Sequence, residues 1–135
     1  MSLILADQIA ALLNDRFPGL PVVPVPARRR RIRQRGWDPV QLIVSHLCKR
    51  QGVKVYRCLE RRGDLPQKTL NFAERMRNIS ESGISLGHGV RALIDKKEIV
   101  LVDDVFTTGA TVNECARILL EGGANEVHVL TFAQD

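Results

Sequence analysis

Residues Glu98 to Val112 read EIVLVDDVFTTGATV, and their types and order could do chemistry. A short apolar run, Ile99 to Val102, leads into two adjacent carboxylates, Asp103 and Asp104, and then Val105-Phe106. Thr107, Thr108, Gly109, Ala110 and Thr111 follow, and from Val112 the apolar residues take up helical spacing. This is the pattern of a strand, a phosphate-sized loop and a helix start. Ligands of open α/β sheets sit outside the carboxyl ends of the strands. A turn of this composition at a helix N-terminus offers a phosphate backbone N–H groups, three hydroxyls and the positive end of the helix dipole. Gly109 allows close backbone approach or a positive φ. Asp103 and Asp104 would repel a phosphate, but they can accept from the vicinal hydroxyls of a sugar beside it. The stretch therefore predicts a ribose 5-phosphate site. A surface turn with an ordinary helix cap would not require two acids and three threonines around one glycine.

A second chemical feature is the basic run after Val25-Pro26-Ala27. Arg28 to Arg31, Arg33 and Arg35 put six arginines into eight positions. A loop there after a parallel strand, with backbone amides and guanidinium groups, suits a diphosphate. The run exceeds what one diphosphate needs, so contact with a nucleic-acid backbone and a plainly solvated basic face both stay open. Trp37 could stack on a base or pack within the loop or core. His46, His88 and His128 are scattered without metal-ligand spacing, so no metal-binding residues are assigned. The three cysteines, Cys48, Cys58 and Cys115, contain no CxxC and read as reduced, mostly buried thiols.

The elements that must hold these groups can be read in order. Leu5, Ile9, Leu12 and Leu13 predict an amphipathic helix over residues 3–16, ended by Pro18-Gly19. Val22, Val23 and Val25 suit a short strand stiffened by prolines. The arginines then fall on a strand-to-helix loop or the first turn beyond it. Asp38 is a candidate N-cap with Pro39 at the first helical position, and Leu42, Ile43, Val44 and Leu47 supply the apolar face of a helix ended by Gly52. Val53 to Leu59 predicts a strand. Residues 60–83 are rich in charge and amide and read as a flexible loop, with a short helix over Asn71 to Ile79. Residues 84–94 predict short strand pieces turned at Gly87 and Gly89, and Asp95-Lys96-Lys97 a turn. Glu98 to Val105 is the central strand. Thr111 to Glu121 is a helix with Val112, Cys115, Ile118 and Leu119 toward the sheet, and Val127 to Ala133 is the last strand. Apolar strands alternating with helices argue for a doubly wound α/β fold with a parallel sheet.

Composition bounds the function classes. A chain of 135 residues suggests a single domain, 1–135, with residues 1–20 forming its N-terminal helix. The net charge of +5 favours anionic partners, phosphorylated small molecules or nucleic acid. No apolar run approaches the roughly 20 residues of a membrane span. Met1 to Leu5 shows neither a basic n-region nor a small-residue cleavage site, so a cytoplasmic location is expected.

VLVDDVFTTGAT closely resembles the phosphoribosyl-pyrophosphate (PRPP) motif of type I phosphoribosyltransferases. With VVPVPARRRRIRQRGWDP, QKTLNFAERMRN and CARILLEGGANEVHVLTFA it resembles the ComF/GntX family over residues 20–133. The resemblance implies a type I phosphoribosyltransferase-like α/β fold, with a central mostly parallel sheet flanked by helices on both faces. It implies PRPP as ligand, Mg²⁺ arriving with it, and displacement of pyrophosphate from C1 of ribose by a nitrogen nucleophile such as a nucleobase. Asp103 and Asp104 would hold the ribose hydroxyls, and Thr107, Thr108, Gly109, Ala110 and Thr111 the 5-phosphate. Pro26, Ala27, Arg28 and Arg29 would form the pyrophosphate loop, and Lys68 and Arg75 would reach the pyrophosphate from a closing loop. Family members are associated with DNA uptake in natural competence and usually carry an N-terminal four-cysteine zinc module, which this chain lacks. The family commonly has Arg-Gly-Phe-Asn-Gln where this chain has Arg35-Gly36-Trp37-Asp38-Pro39. A rival reading on the same fold is a PRPP-sensing module that binds single-stranded DNA or a helicase partner through the arginines. The fold often dimerises, so a homodimer is among the expected states.

Overall fold

The computed structural model describes residues 3–62, 83–104 and 109–132. The strand β4, Glu98–Asp103, forms at the centre of the sheet because residues 99–102 are fully buried on both faces. It pairs in parallel with β1, Val22–Pro24, on one side and with β5, Glu126–Thr131, on the other, giving the order β1-β4-β5. Alternate residues point to opposite faces, so the sheet supports two separate apolar clusters. Val22, Val100 and Val102 meet helix α1, Leu3–Arg16, and helix α3, Pro39–Gln51, on one face. Val23, Ile99 and Leu101 meet helix α5, Ala110–Glu121, and the single-turn helix α4, Arg91–Ile94, on the other. This is the expected mostly parallel sheet with helices on both faces.

The helix stripes are cleaner than the leucines alone suggest. On α1 the buried positions are Ala6, Ile9, Ala10 and Leu13, spaced i, i+3, i+4, i+7, while Leu12 is largely exposed. Alanines carry half of that stripe, with Ile9 and Leu13 as expected and Leu5 partly buried against it. On α3 the same spacing selects Val40, Ile43, Val44 and Leu47, and the expected core residue Leu42 is 51% exposed. The Asp38 side chain accepts from the backbone N–H of Val40 (3.1 Å) and Gln41 (3.4 Å), the N-cap expected before Pro39.

Four expectations are corrected. The arginine run, expected on a loop or the first turn beyond it, forms a full helix, α2, Arg29–Arg35. Arginine is a good helix former, and Gly36 closes the helix in the left-handed region, its N–H donating to the Ile32 carbonyl at 2.7 Å. The strand expected over 53–59 is broken. Only Val55 bridges β1, with the Val22 N–H donating to Lys54 O and the Tyr56 N–H to Val22 O. Two residues on, the same edge of β1 presents Pro24, which has no N–H to continue the ladder. The chain leaves and forms β2, Leu59–Arg61, antiparallel to β3, Ile84–Leu86, so residues 60 and 61 belong to a strand and not to a loop. Residues 91–94 are a helical turn where strand was expected; Arg91, Ala92 and Leu93 favour helix, and Ile94 anchors the turn in the core. The short helix expected at Asn71 to Ile79 lies outside the described residues.

Cys58 and Cys115 are fully buried, and burial pushes their thiols up to about 11 and about 12; Cys48 is exposed. The thiolate is the reactive form. At neutral pH a thiol reagent is therefore expected to modify Cys48 alone in the native protein and all three cysteines after denaturation. Rapid modification of a second thiol in the native protein would contradict this core.

Candidate functional site

The site begins with the pairing of β1 and β4. Val23 lies opposite Leu101 and Pro24 opposite Val102, and the Val25 N–H continues the ladder to Val102 O at 2.9 Å. Both strands end there in step. The residues that follow β1, Pro26 to Arg28, are brought beside the residues that end β4, Asp103 and Asp104. Gly109 to Thr111 open α5 at the same end of the sheet. These segments, with Ile32 and Arg35 of α2, Trp37 to Val40 and Arg61, line one pocket of about 480 Å³. It lies where an open parallel sheet places its ligand.

The N-terminus of α5 opens on the pocket. Gly109 occupies the N-cap of α5 with φ 78°, a left-handed conformation that disfavours other residues, and provides no capping side chain. Arg28, Arg35 and Arg61 also line the pocket. The Arg61 Nε donates to the Pro26 carbonyl at 3.0 Å and so braces the loop after β1 from β2. The floor is acidic. Asp103 Oδ1 accepts from the Asp104 N–H at 2.9 Å, and Asp104 is 7% exposed. Arg35 Nη1 donates to Asp104 Oδ2 at 3.0 Å. Burial pushes the Asp38 carboxyl above its ordinary value, and the negative charge of Asp104 adds to this, against the two capping N–H groups and the Arg35 guanidinium. Three carboxylates and three guanidinium groups thus share the pocket, an arrangement that can hold a polyanion and a polyhydroxyl group side by side.

Of the residues named from sequence, Pro26, Ala27, Arg28, Asp103, Asp104, Gly109, Ala110 and Thr111 line this pocket. Arg29 is the first residue of α2, adjoining it. Thr107, Thr108, Lys68 and Arg75 lie outside the described residues. Sequence reasoning missed Arg61, which sits in an undistinguished charged run. It read Asp38 as a cap and not also as a pocket wall. It had no signal for Arg35 meeting a carboxylate 69 residues away. Trp37, left between stacking and packing, is half-buried in the pocket lining. At the other end of the sheet, strand register gathers groups that the spacing kept apart. His128 Nε2 stands 3.6 Å from a Glu98 oxygen and 3.8 Å from a Glu126 oxygen, a loose surface cluster remote from the pocket.

The sequence profile of the phosphoribosyl transferase domain family matches residues 2–135. The chain belongs to that family. It is 30% identical to competence protein ComFC of Streptococcus pneumoniae (strain ATCC BAA-255 / R6) over 97% of this chain and 57% of that protein. It thus spans little more than half the length of that relative. It is 39% identical over 59 residues to the amidophosphoribosyltransferase of Rhizobium etli, covering 43% of this chain and 12% of that one. Among solved structures, the glutamine PRPP amidotransferase from B. subtilis, complexed with ADP and GMP, superposes with a TM-score of 0.60. That match covers 93% of this chain and 25% of the other at 21% identity, and it shows a shared fold. It is a phosphoribosyl transferase domain similar to competence protein ComFC, the resemblance that its motifs carry. Among the described residues no helix is long and apolar enough to cross a membrane.

The Asp38 environment gives a prediction with a definite sign. Replacing Asp38 by Ala removes the cap and is expected to cost about 1 kcal/mol, whereas Asp38→Asn keeps an acceptor. The folded carboxyl holds its proton to higher pH than the unfolded one. Just above the ordinary carboxylate value the folded state binds more protons, so this group's contribution to stability falls as pH rises through that window. Melting curves from about pH 3.5 to about pH 6 should show the parent losing stability relative to Asp38→Asn as pH rises. Parallel curves would contradict the assignment.

Proposed function

We propose that this domain binds PRPP with Mg²⁺ in the pocket at the carboxyl ends of β1 and β4 and transfers its phosphoribosyl group to a nitrogen nucleophile. The observation that carries the reading is the convergence of Pro26 to Arg28, Asp103, Asp104 and Gly109 to Thr111 on one pocket. In this reading the 5-phosphate lies on the N-terminus of α5, with Thr107 and Thr108 joining from the adjoining sequence. Asp103 and Asp104 accept from the ribose hydroxyls, and the diphosphate lies on Pro26 to Arg29. The pocket carboxylates Asp38, Asp103 and Asp104 are hard oxygen donors of the kind Mg²⁺ accepts. When bound, the ion neutralises charge on the departing diphosphate.

In the reaction the bond from C1 to the diphosphate oxygen breaks as the bond from C1 to nitrogen forms, and the electron pair leaves with the diphosphate. Positive charge develops on the sugar ring. The chain's contribution is positioning and electrostatics. Carboxylates stand by the ring, and guanidinium groups of Arg28, Arg35 and Arg61 stand toward the leaving group. Lys68 and Arg75 are assigned by the family resemblance to covering the diphosphate. Calorimetry should show PRPP binding in the presence of Mg²⁺, and Asp103→Asn should weaken it roughly 10-fold or more, the loss expected for a hydrogen bond to a charged group. Absence of binding at about millimolar ligand, or an unchanged Asp103→Asn, sinks the site.

A second reading draws on α2. Arg28 at its start, and Arg30 and Arg33 along it, are exposed beside the pocket. Together with the likeness to a competence protein, this supports contact with the phosphate backbone of single-stranded DNA during DNA uptake. Affinity for an oligonucleotide should fall steeply with salt, and Arg30→Gln with Arg33→Gln should reduce the logarithmic slope by about 0.7 per contact removed. Equal slopes for parent and variant would exclude α2 as the contact.

A further inference from the structure

Arg35 and Asp104 meet inside the pocket at 3.0 Å, where the Asp104 side chain is 9% exposed and that of Arg35 is 37% exposed. Asp104 is the one buried charged residue among those described. A carboxylate so placed depends on its partners, and removing a cation from it is costly. The same carboxylate is assigned above to the ribose hydroxyls, and the inference rests on that assignment. Hydroxyls are neutral donors and do not replace a guanidinium. A sugar entering alone must therefore compete with Arg35.

Arg35 ends α2 and lines the same pocket as Pro26, Ala27 and Arg28, the wall assigned to the diphosphate. A diphosphate arriving there offers the guanidinium a stronger anion than one carboxylate. The arginine is the more exposed of the two partners. We propose that Arg35 is a positioning latch: it holds Asp104 until a diphosphate enters, then passes to that diphosphate and releases the carboxylate to the ribose hydroxyls. The latch makes the two halves of the ligand recognise one another before chemistry, and a sugar phosphate without a diphosphate is disfavoured.

The consequence is a sign that simple electrostatics does not give. Two anions in one pocket repel, so inorganic pyrophosphate and ribose 5-phosphate should weaken each other's binding. A shared arginine makes each strengthen the other, and such coupling is reciprocal. The experiment is calorimetric titration of the protein with ribose 5-phosphate, alone and with saturating magnesium pyrophosphate. In the parent, pyrophosphate should tighten ribose 5-phosphate binding by about 5-fold or more. Arg35→Gln should abolish or reverse the tightening, and Arg35→Lys, which keeps the charge if the first variant fails to fold, should retain it. If each ligand binds the parent but pyrophosphate leaves ribose 5-phosphate affinity unchanged or weaker, the latch is overturned while the site stands. Full tightening in a folded Arg35→Gln also overturns it. If neither ligand binds the parent, the site assignment itself fails and the latch with it.

Discussion

The parallel pairing of β1 with β4 is the constraint on which the rest of this molecule depends. The two strands are short and adjacent, and they end in step. That places the segment after each strand at a common rim, although some 75 residues separate Arg28 from Asp103 in sequence. Pro24 limits how far a further strand can follow β1 on its outer edge, and the chain turns away into β2. Arg61 on β2 then returns to the Pro26 carbonyl. A shift of one residue in this register would move every buried valine of β1 to the wrong face and dismantle the pocket at the same time. Stability and site geometry are therefore specified by the same contacts.

Charge of both signs is arranged about that rim. Carboxylates of Asp38, Asp103 and Asp104 and guanidinium groups from α2, β2 and the loop after β1 line the same pocket, with Arg35 paired to Asp104. Neither sign dominates, which suits a ligand that is anionic at two ends and hydroxylated between them. The cost of burying Asp104 is offset by Arg35, and Asp38 is held by the first turn of α3.

The central strand, its flanking helices and the two-faced sheet were legible because local pattern and tertiary environment agree there. Ile99 to Val102 read as a buried strand and Asp38-Pro39 as a helix start, and the tertiary environment agrees with both. That Asp103, Asp104 and Gly109 to Thr111 share one pocket was legible because a strand end and a helix start adjoin there in sequence. The rest was hidden for physical causes. The arginine run is placed on a loop or first turn by its position after the strand, and the helix-forming arginines with the Gly36 cap extend that turn into α2. The strand at Val55 failed because the limiting residue, Pro24, sits on its partner. Arg61 and the Arg35–Asp104 pair are products of long-range pairing, and no local window contains them.

The central claim is that PRPP occupies the rim at the carboxyl ends of β1 and β4. Its most direct test is a nuclear magnetic resonance titration of the uniformly ¹⁵N-labelled protein with PRPP and Mg²⁺, following the backbone amides. The account predicts that the largest saturable shifts fall on Ala27, Arg28, Asp104 and Gly109 to Thr111. Saturable shifts centred instead on the opposite end of the sheet, around Glu98 and Glu126, with the rim amides unmoved, would contradict it.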